Sequence, residues 1–187
     1  MSSVQSKVLG VVGSSAGGVE DLRTGLVIPA LERGWTVAVT LTPTAGEWLR
    51  ASGEAVRIEE LTGLPVRSAP RLPGDSRPHP PVDCYVVAPA SANTVAKLAL
   101  GISDNQALTQ VNEAIGTLSL PVVVWPRVNA AHARHPAWKG HIKGLHDAGV
   151  RMVYGPEVWP LAEPRAGMPG RQYPWDAVMG EAERALP

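Results

Sequence analysis

Short β-branched apolar runs alternate along this chain with stretches of helical spacing, and that alternation dictates a parallel sheet covered by helices. Strand-like runs lie at residues 7–12, 35–41, 83–88, 120–125 and 150–154, and Pro65-Val66-Arg67 offers a short further one. Helical patterns fill the intervals 18–33, 46–55 and onward to Leu61, then start again at Ser91, Asp104 and His135-Pro136, and close the chain over 175–186. Crossovers of this kind place helices on both faces, so the pattern predicts a three-layer, doubly wound parallel α/β sheet. Local signals refine it. Pro29 should kink or split the first helix. Gly34 and Gly149 suit helix ends. Ser91 or Asn93 should cap one helix and Asp104 the next.

Composition removes several function classes. Of 187 residues, 44% are hydrophobic and 18% charged, which fits a chain with a full core and excludes a disordered one. The reading is a single domain over 1–187, its core at about 7–156, followed by an arm and helix over 157–187. Lys plus Arg and Asp plus Glu each number 17, so there is no basic excess for nucleic acid. No signal peptide or spanning helix fits, so no membrane partner is expected and a cytoplasmic location is the default. One Cys excludes both a disulfide framework and a Cys-based zinc site. Phe is absent, and six Trp supply aromatic bulk in its place.

Ligands of an open parallel sheet bind at the carboxyl ends of its strands. Here those ends read Gly13-Ser14-Ser15-Ala16-Gly17-Gly18, Thr42-Pro43-Thr44, Pro89-Ala90-Ser91-Ala92-Asn93-Thr94 and Pro126-Arg127-Val128-Asn129. Four turns loaded with small hydroxyl and amide residues on one edge point to a ligand. The glycine spacing of the first turn matches neither the dinucleotide G-x-G-x-x-G nor the P-loop. The second strand ends in Thr40, Thr42 and Thr44, with no acid to grip a ribose. Hydroxyls there suit a terminal phosphate, so the expectation is a mononucleotide-type phosphate site.

These residues resemble the homo-oligomeric flavin-containing cysteine decarboxylases, a group that includes phosphopantothenoylcysteine decarboxylase and the decarboxylases of C-terminal peptide Cys. The resemblance runs from about residue 8 to 156. It is most specific over Ala88 to Ala99, around Pro89-Ala90-Ser91-Ala92-Asn93-Thr94, and continues through Gly101-Ile102-Ser103-Asp104-Asn105. Gly13-Ser14-Ser15-Ala16 resembles the family's Gly-Ser-x-Ala turn, and Thr42-Pro43-Thr44-Ala45 its Thr-x-Ser-Ala phosphate contact. The resemblance implies a Rossmann/flavodoxin-like fold and FMN bound between subunits of a homotrimer or a multiple of three. It implies that Gly13, Ser14, Ser15, Thr42 and Thr44 hold the phosphate and ribityl end. Ser91, Asn93 and Thr94 would lie beside the ring, and Trp48 would flank it, the alternative for Trp48 being a core position on a helix.

In the family, the flavin oxidises the Cys side chain to a thioaldehyde, which eases loss of CO₂. The family's Pro-Ala-Met-Asn-x-x-Met stands here as Pro126-Arg127-Val128-Asn129-Ala130-Ala131-His132. Asn129, the carboxylate contact, is kept, and both methionines are gone. The position of the catalytic His is Asp75, and His79 follows in a proline-rich loop over 68–82. No Cys follows Cys84 to match the family's flap Cys, although Arg171 in Gly167-Met168-Pro169-Gly170-Arg171 weakly matches the flap. The substrate class implied is a small thiol carboxylate or a peptide C-terminal Cys. A flavin-binding subunit without chemistry and a flavin prenyltransferase-like transferase are the alternatives. His132, His135, His141 and His146 lack the spacing that sets two ligands on one helix face, so no metal is expected.

Overall fold

The computed structural model describes residues 6–117, 119–166 and 170–186. Five strands, β1 (Val8–Gly13), β2 (Thr36–Leu41), β3 (Cys84–Ala90), β4 (Val122–Pro126) and β5 (Arg151–Met152), pair in parallel in the order β2-β1-β3-β4-β5. Side chains alternate across a strand. Val11, Val86 and Val123 therefore enter one core with Leu22, Leu26, Ile58 and Met179. Their neighbours Val12, Val87 and Val124 enter the other, with Val95, Leu108, Val111 and Leu145. Burial on both faces explains why these strands read as unbroken apolar runs.

The first core is covered by α1 (Ile28–Glu32), α2 (Pro43–Ala51), α3 (Glu54–Thr62) and α8 (Trp175–Ala185). The second is covered by α4 (Ala92–Ala99), α5 (Gln106–Gly116) and α7 (Trp138–Asp147), with α6 (Ala130–Arg134) at one end. This is the doubly wound α/β sheet expected from the alternation.

Four local expectations are corrected. The long helix over 18–33 is a 3₁₀ turn (Val19–Asp21), a π turn (Arg23–Val27) and only then α1. Pro29 has no N–H to donate, so it is placed in the first turn of α1, just after the widened segment. Pro65–Arg67 is not a strand: Arg67 alone bridges Thr40 at the outer edge of β2. The cap of α5 is Asn105, whose Oδ1 accepts the Leu108 N–H at 3.1 Å, while Asp104 pairs with Lys97. No helix starts at His135-Pro136. His135 stays extended because the following proline disfavours helical backbone there. Asn129 instead caps α6, and α7 begins at Trp138.

The π turn carries Gly25 against the Trp175 ring of α8. A methyl group at Gly25 would fall 2.3 Å from Trp175 Nε1. Gly25→Ala should therefore lower stability by about 1–3 kcal/mol, the usual effect of forcing a methyl into a packed contact. Urea unfolding checks this, and an unchanged midpoint would show that the helix gives way freely.

Candidate functional site at the crevice between β1 and β3

The chain leaves β1 towards one face and β3 towards the other, so a crevice opens at their carboxyl ends. Ser14, 1% exposed, crosses it. Its Oγ donates to Pro89 O at 2.8 Å and accepts the Ser91 N–H at 2.7 Å, and its own N–H reaches the same Pro89 O at 3.1 Å. Ser14 is thus a strut between the two loops. Pro89 itself has no N–H, and the β3–β4 register shifts between Val87 and Ala90.

Ser91 begins α4: its Oγ accepts the Thr94 N–H at 3.2 Å and lies 3.1 Å from Thr94 Oγ1. The cap is therefore Ser91, and Asn93 is left exposed at the crevice. Ser15, Thr42, Thr44, Ser91, Asn93 and Thr94 line one cleft of about 240 Å³. Gly13, at the end of β1, holds Thr42 in place from below the turn. The Gly13 carbonyl accepts the Thr42 N–H at 2.9 Å, and a Cβ there would meet Leu41 Cδ2 at 2.8 Å.

Thr42 is the unusual member. It is the N-cap residue of α2, yet its side chain caps nothing, and its buried Oγ1 has no hydrogen-bond partner. A buried hydroxyl left unpaired costs about 1–3 kcal/mol. Beside it, the first N–H groups of α2 have no side-chain cap. A hydroxyl and uncapped amides facing a cleft make a binding site for an anion.

Trp48 is 50% exposed on α2, so the core reading is overturned. Asn129 lines a different, mostly apolar cleft of about 480 Å³ with Ala92, Ala96, His132, His135 and Trp138. Its Oδ1 accepts the His132 N–H at 2.9 Å, which leaves the Nδ2 donors for a ligand. His79 and Asp75 are not brought to Asn129. His79 lines a third cleft, where its Nε2 donates to Pro65 O at 2.7 Å, and burial holds the ring below the usual imidazole value. Asp75 is exposed in the loop, where its carboxylate accepts the Leu72 N–H at 2.9 Å. Cys84 is buried, and burial pushes its thiol up to about 12, the value of an inert strand residue.

Two features were not foreseen. The Lys97–Asp104 pair lines the Thr42 cleft and puts a cation and an acid beside it. The arm after β5 folds back so that Trp159, Tyr173 and Trp175 pack on Trp125 at ring distances of 6.0, 5.7 and 5.1 Å. Arg127 stacks 5.0 Å from the Trp159 ring and Arg171 3.5 Å from it. The weak flap match at Gly167-Met168-Pro169 lies outside the described residues. Only the recurrence of Trp and Tyr in a Pro/Gly-rich arm signals this cluster in the sequence. Among the described residues, no three of His, Cys, Asp and Glu converge as metal ligands, and no helix is long and apolar enough to cross a membrane.

Ser14→Ala would strand the Ser91 N–H and one bond to Pro89 O in the interior, and should destabilise by about 1–3 kcal/mol. Thermal and urea unfolding of the two proteins measure the effect, and equal stability would remove the strut.

A family model described as Flavoprotein matches residues 2–183. A cysteine/cysteine sulfinic acid decarboxylase from an unknown prokaryotic organism is 35% identical over 71 residues, which take in 38% of this chain and 19% of that protein. The match thus spans about a fifth of that relative's length. Two solved structures share the fold along nearly all of the chain. The FMN-dependent cysteine decarboxylase SpaF is 24% identical with a TM-score of 0.63, over 97% of each chain. The FMN-dependent cysteine decarboxylase TvaF from thioviridamide biosynthesis is 22% identical with a TM-score of 0.68, over 96% of this chain and 97% of that one.

Proposed function

The chain belongs to the Flavoprotein family, and from that premise we propose that it binds FMN at the β1/β3 crevice and decarboxylates a small thiol carboxylate or a peptide C-terminal Cys. The observation that carries the reading is the unpartnered Thr42 Oγ1 beside the uncapped start of α2. A phosphate monoester supplies acceptors for both. The names of the similar proteins, SpaF, TvaF and the cysteine/cysteine sulfinic acid decarboxylase, support the same chemistry.

In this reading Ser15, Thr42 and Thr44 hold the phosphate, and Gly13 keeps the backbone close to it. Ser91, Asn93 and Thr94 border the ring, Trp48 offers an exposed aromatic face, and Ser14 fixes the loops that carry these groups. Bound FMN supplies an electron sink for loss of CO₂. Asn129 presents its Nδ2 donors to the substrate carboxylate and so orients the bond that breaks. His79 and Asp75 have no role within one chain. A flavin-binding subunit without chemistry is the second reading, favoured by the commitment of His79 Nε2 to Pro65 O.

The test combines cofactor uptake with two variants. Wild-type protein should take up FMN and show its visible absorbance; a protein that stays colourless with added FMN sinks the proposal. Thr42→Val should leave the cofactor-free protein at least as stable as before, because it removes a buried hydroxyl that has no partner there. It should weaken FMN binding about tenfold, the loss of one hydrogen bond to a charged group. Asn129→Asp keeps the cap of α6, since Asp caps as well as Asn. It should keep FMN, yet repel a substrate carboxylate and abolish CO₂ release from a C-terminal-Cys peptide. FMN uptake with no CO₂ release by the wild type would select the second reading.

A cleft of about 240 Å³ lies below the ~300–1,000 Å³ of pockets that enclose a drug-sized ligand. A second copy is therefore proposed to cover the ring, in a homotrimer or a multiple of three. Sedimentation should give a mass divisible by three chains, and a monomer holding FMN would contradict it.

A further inference from the structure

A cleft of about 590 Å³ lies away from the β1/β3 crevice, between the proline-rich loop and α5. Its lining includes Arg67, Arg71, Arg77 and His79 from the loop side, and Gln110 and Glu113 from α5. The backbone sets these residues in place. Arg67 is fixed at the edge of β2, where its carbonyl accepts the Leu41 N–H at 2.6 Å and its N–H reaches Val39 O at 3.0 Å. Pro78, Pro80 and Pro81 each fix φ along a segment that bends at Pro78 and His79, and the His79–Pro65 bond ties it back to the segment before Arg67.

The three guanidinium groups are hardly compensated. Arg67 Nη2 donates to Ala69 O at 3.3 Å and Arg71 Nη1 to Asp75 O at 3.0 Å, both backbone carbonyls. Among the described residues none of the three arginines is in an ion pair. Burial, together with the charge of Arg71, holds Arg67 below the ordinary arginine value. His79 is held towards its neutral form, so Glu113 is the one acid set against three fixed cations in this lining. Like charges gathered around one cleft repel, most where Arg67 is partly buried, and an anion joining them relieves that repulsion. A second signal comes from the opposite wall: Gln110 Oε1 is buried and has no hydrogen-bond partner. It calls for a donor, whereas the arginines call for an acceptor.

We propose that this cleft is an oxyanion site that takes a phosphate or carboxylate group together with a neighbouring N–H or O–H donor. The guanidinium forks hold the oxyanion, in the paired geometry that arginine favours. Gln110 accepts the donor and so reads the group attached next to the anion. A peptide end, a carboxylate with an N–H one residue back, satisfies both walls, and so does a protonated phosphate. The site is independent of the flavin reading, because it shares no lining residue with the Thr42 cleft.

His79 provides a local reporter, one of five histidines, whose NMR ring signal is identified by its loss in His79→Ala. The protein, loaded with FMN where it takes FMN up, is titrated with inorganic phosphate and with N-acetylglycine, and with chloride at matched ionic strength. The expected result is a saturable shift of the His79 signal with phosphate or N-acetylglycine and none with chloride. Arg77→Gln, on an exposed loop residue, should weaken the response about tenfold. Gln110→Leu should weaken N-acetylglycine more than phosphate. A response to phosphate alone assigns a phosphate ligand, and one to N-acetylglycine alone a carboxylate ligand; either supports the site. An equal response to chloride, no saturable response to either probe, or an Arg77→Gln response equal to wild type would overturn the proposal. So would an Arg77→Gln variant that changes the oligomer mass and not the anion affinity, since the cleft would then be a contact with a second copy. Failure to bind FMN alters none of these readings and counts only against the flavin assignment.

Discussion

A parallel sheet that reverses direction between two strands opens a crevice it cannot close with its own ladder. Here one hydroxyl spans it. Ser14 donates to Pro89 O at the end of β3 and accepts the Ser91 N–H just beyond it, so the turn after β1 and the start of α4 form a single unit. The rest of the crevice follows. Ser91, held through its N–H, is aimed to cap α4 and to meet the Thr94 hydroxyl. Thr42, tied by its N–H to the Gly13 carbonyl, is drawn to the same place. Three loops from distant parts of the chain thus converge through the Ser14 hydroxyl and backbone groups, and the Thr42 hydroxyl is left without a partner among them.

The parts legible in the sequence were those governed by local rules. Strands buried on both faces announce themselves by unbroken apolar runs, as over Cys84–Ala90. Hydroxyl-rich turns stand at their carboxyl ends, and six residues named from those turns line one cleft. Single-residue choices were harder. Asp104 and Asn105 are adjacent and both can cap, and only the position of Leu108 three residues beyond Asn105 selects the second. The helix expected from His135-Pro136 is α7, which begins two residues beyond Pro136, at Trp138, because the proline holds His135 extended.

Long-range packing was illegible. Nothing near Trp125 in the sequence says that residues 159, 173 and 175 will return to cover it. Equally, the loop that carries His79 offers many conformations on paper. Its position is decided by one bond to Pro65 and by the pairing of Arg67 with the edge of β2. The result is a separation no motif could show: the amide of Asn129 and the ring of His79 belong to different clefts.

The aromatic arm has an optical consequence. Trp125, Trp159 and Trp175 are half of the chain's six indoles, and their rings lie within 6.0 Å of Trp125, Trp159 at 77° to it and Trp175 at 74°. At such spacings the excited states of neighbouring indoles couple, and their exciton signature depends on the angle between them. With no Phe in the chain and only three Tyr, this group should contribute a large share of the near-ultraviolet circular dichroism. The arm therefore carries its own spectroscopic label: lifting it from β4 would separate the coupled rings and collapse that signal, while the sheet beneath kept its far-ultraviolet spectrum.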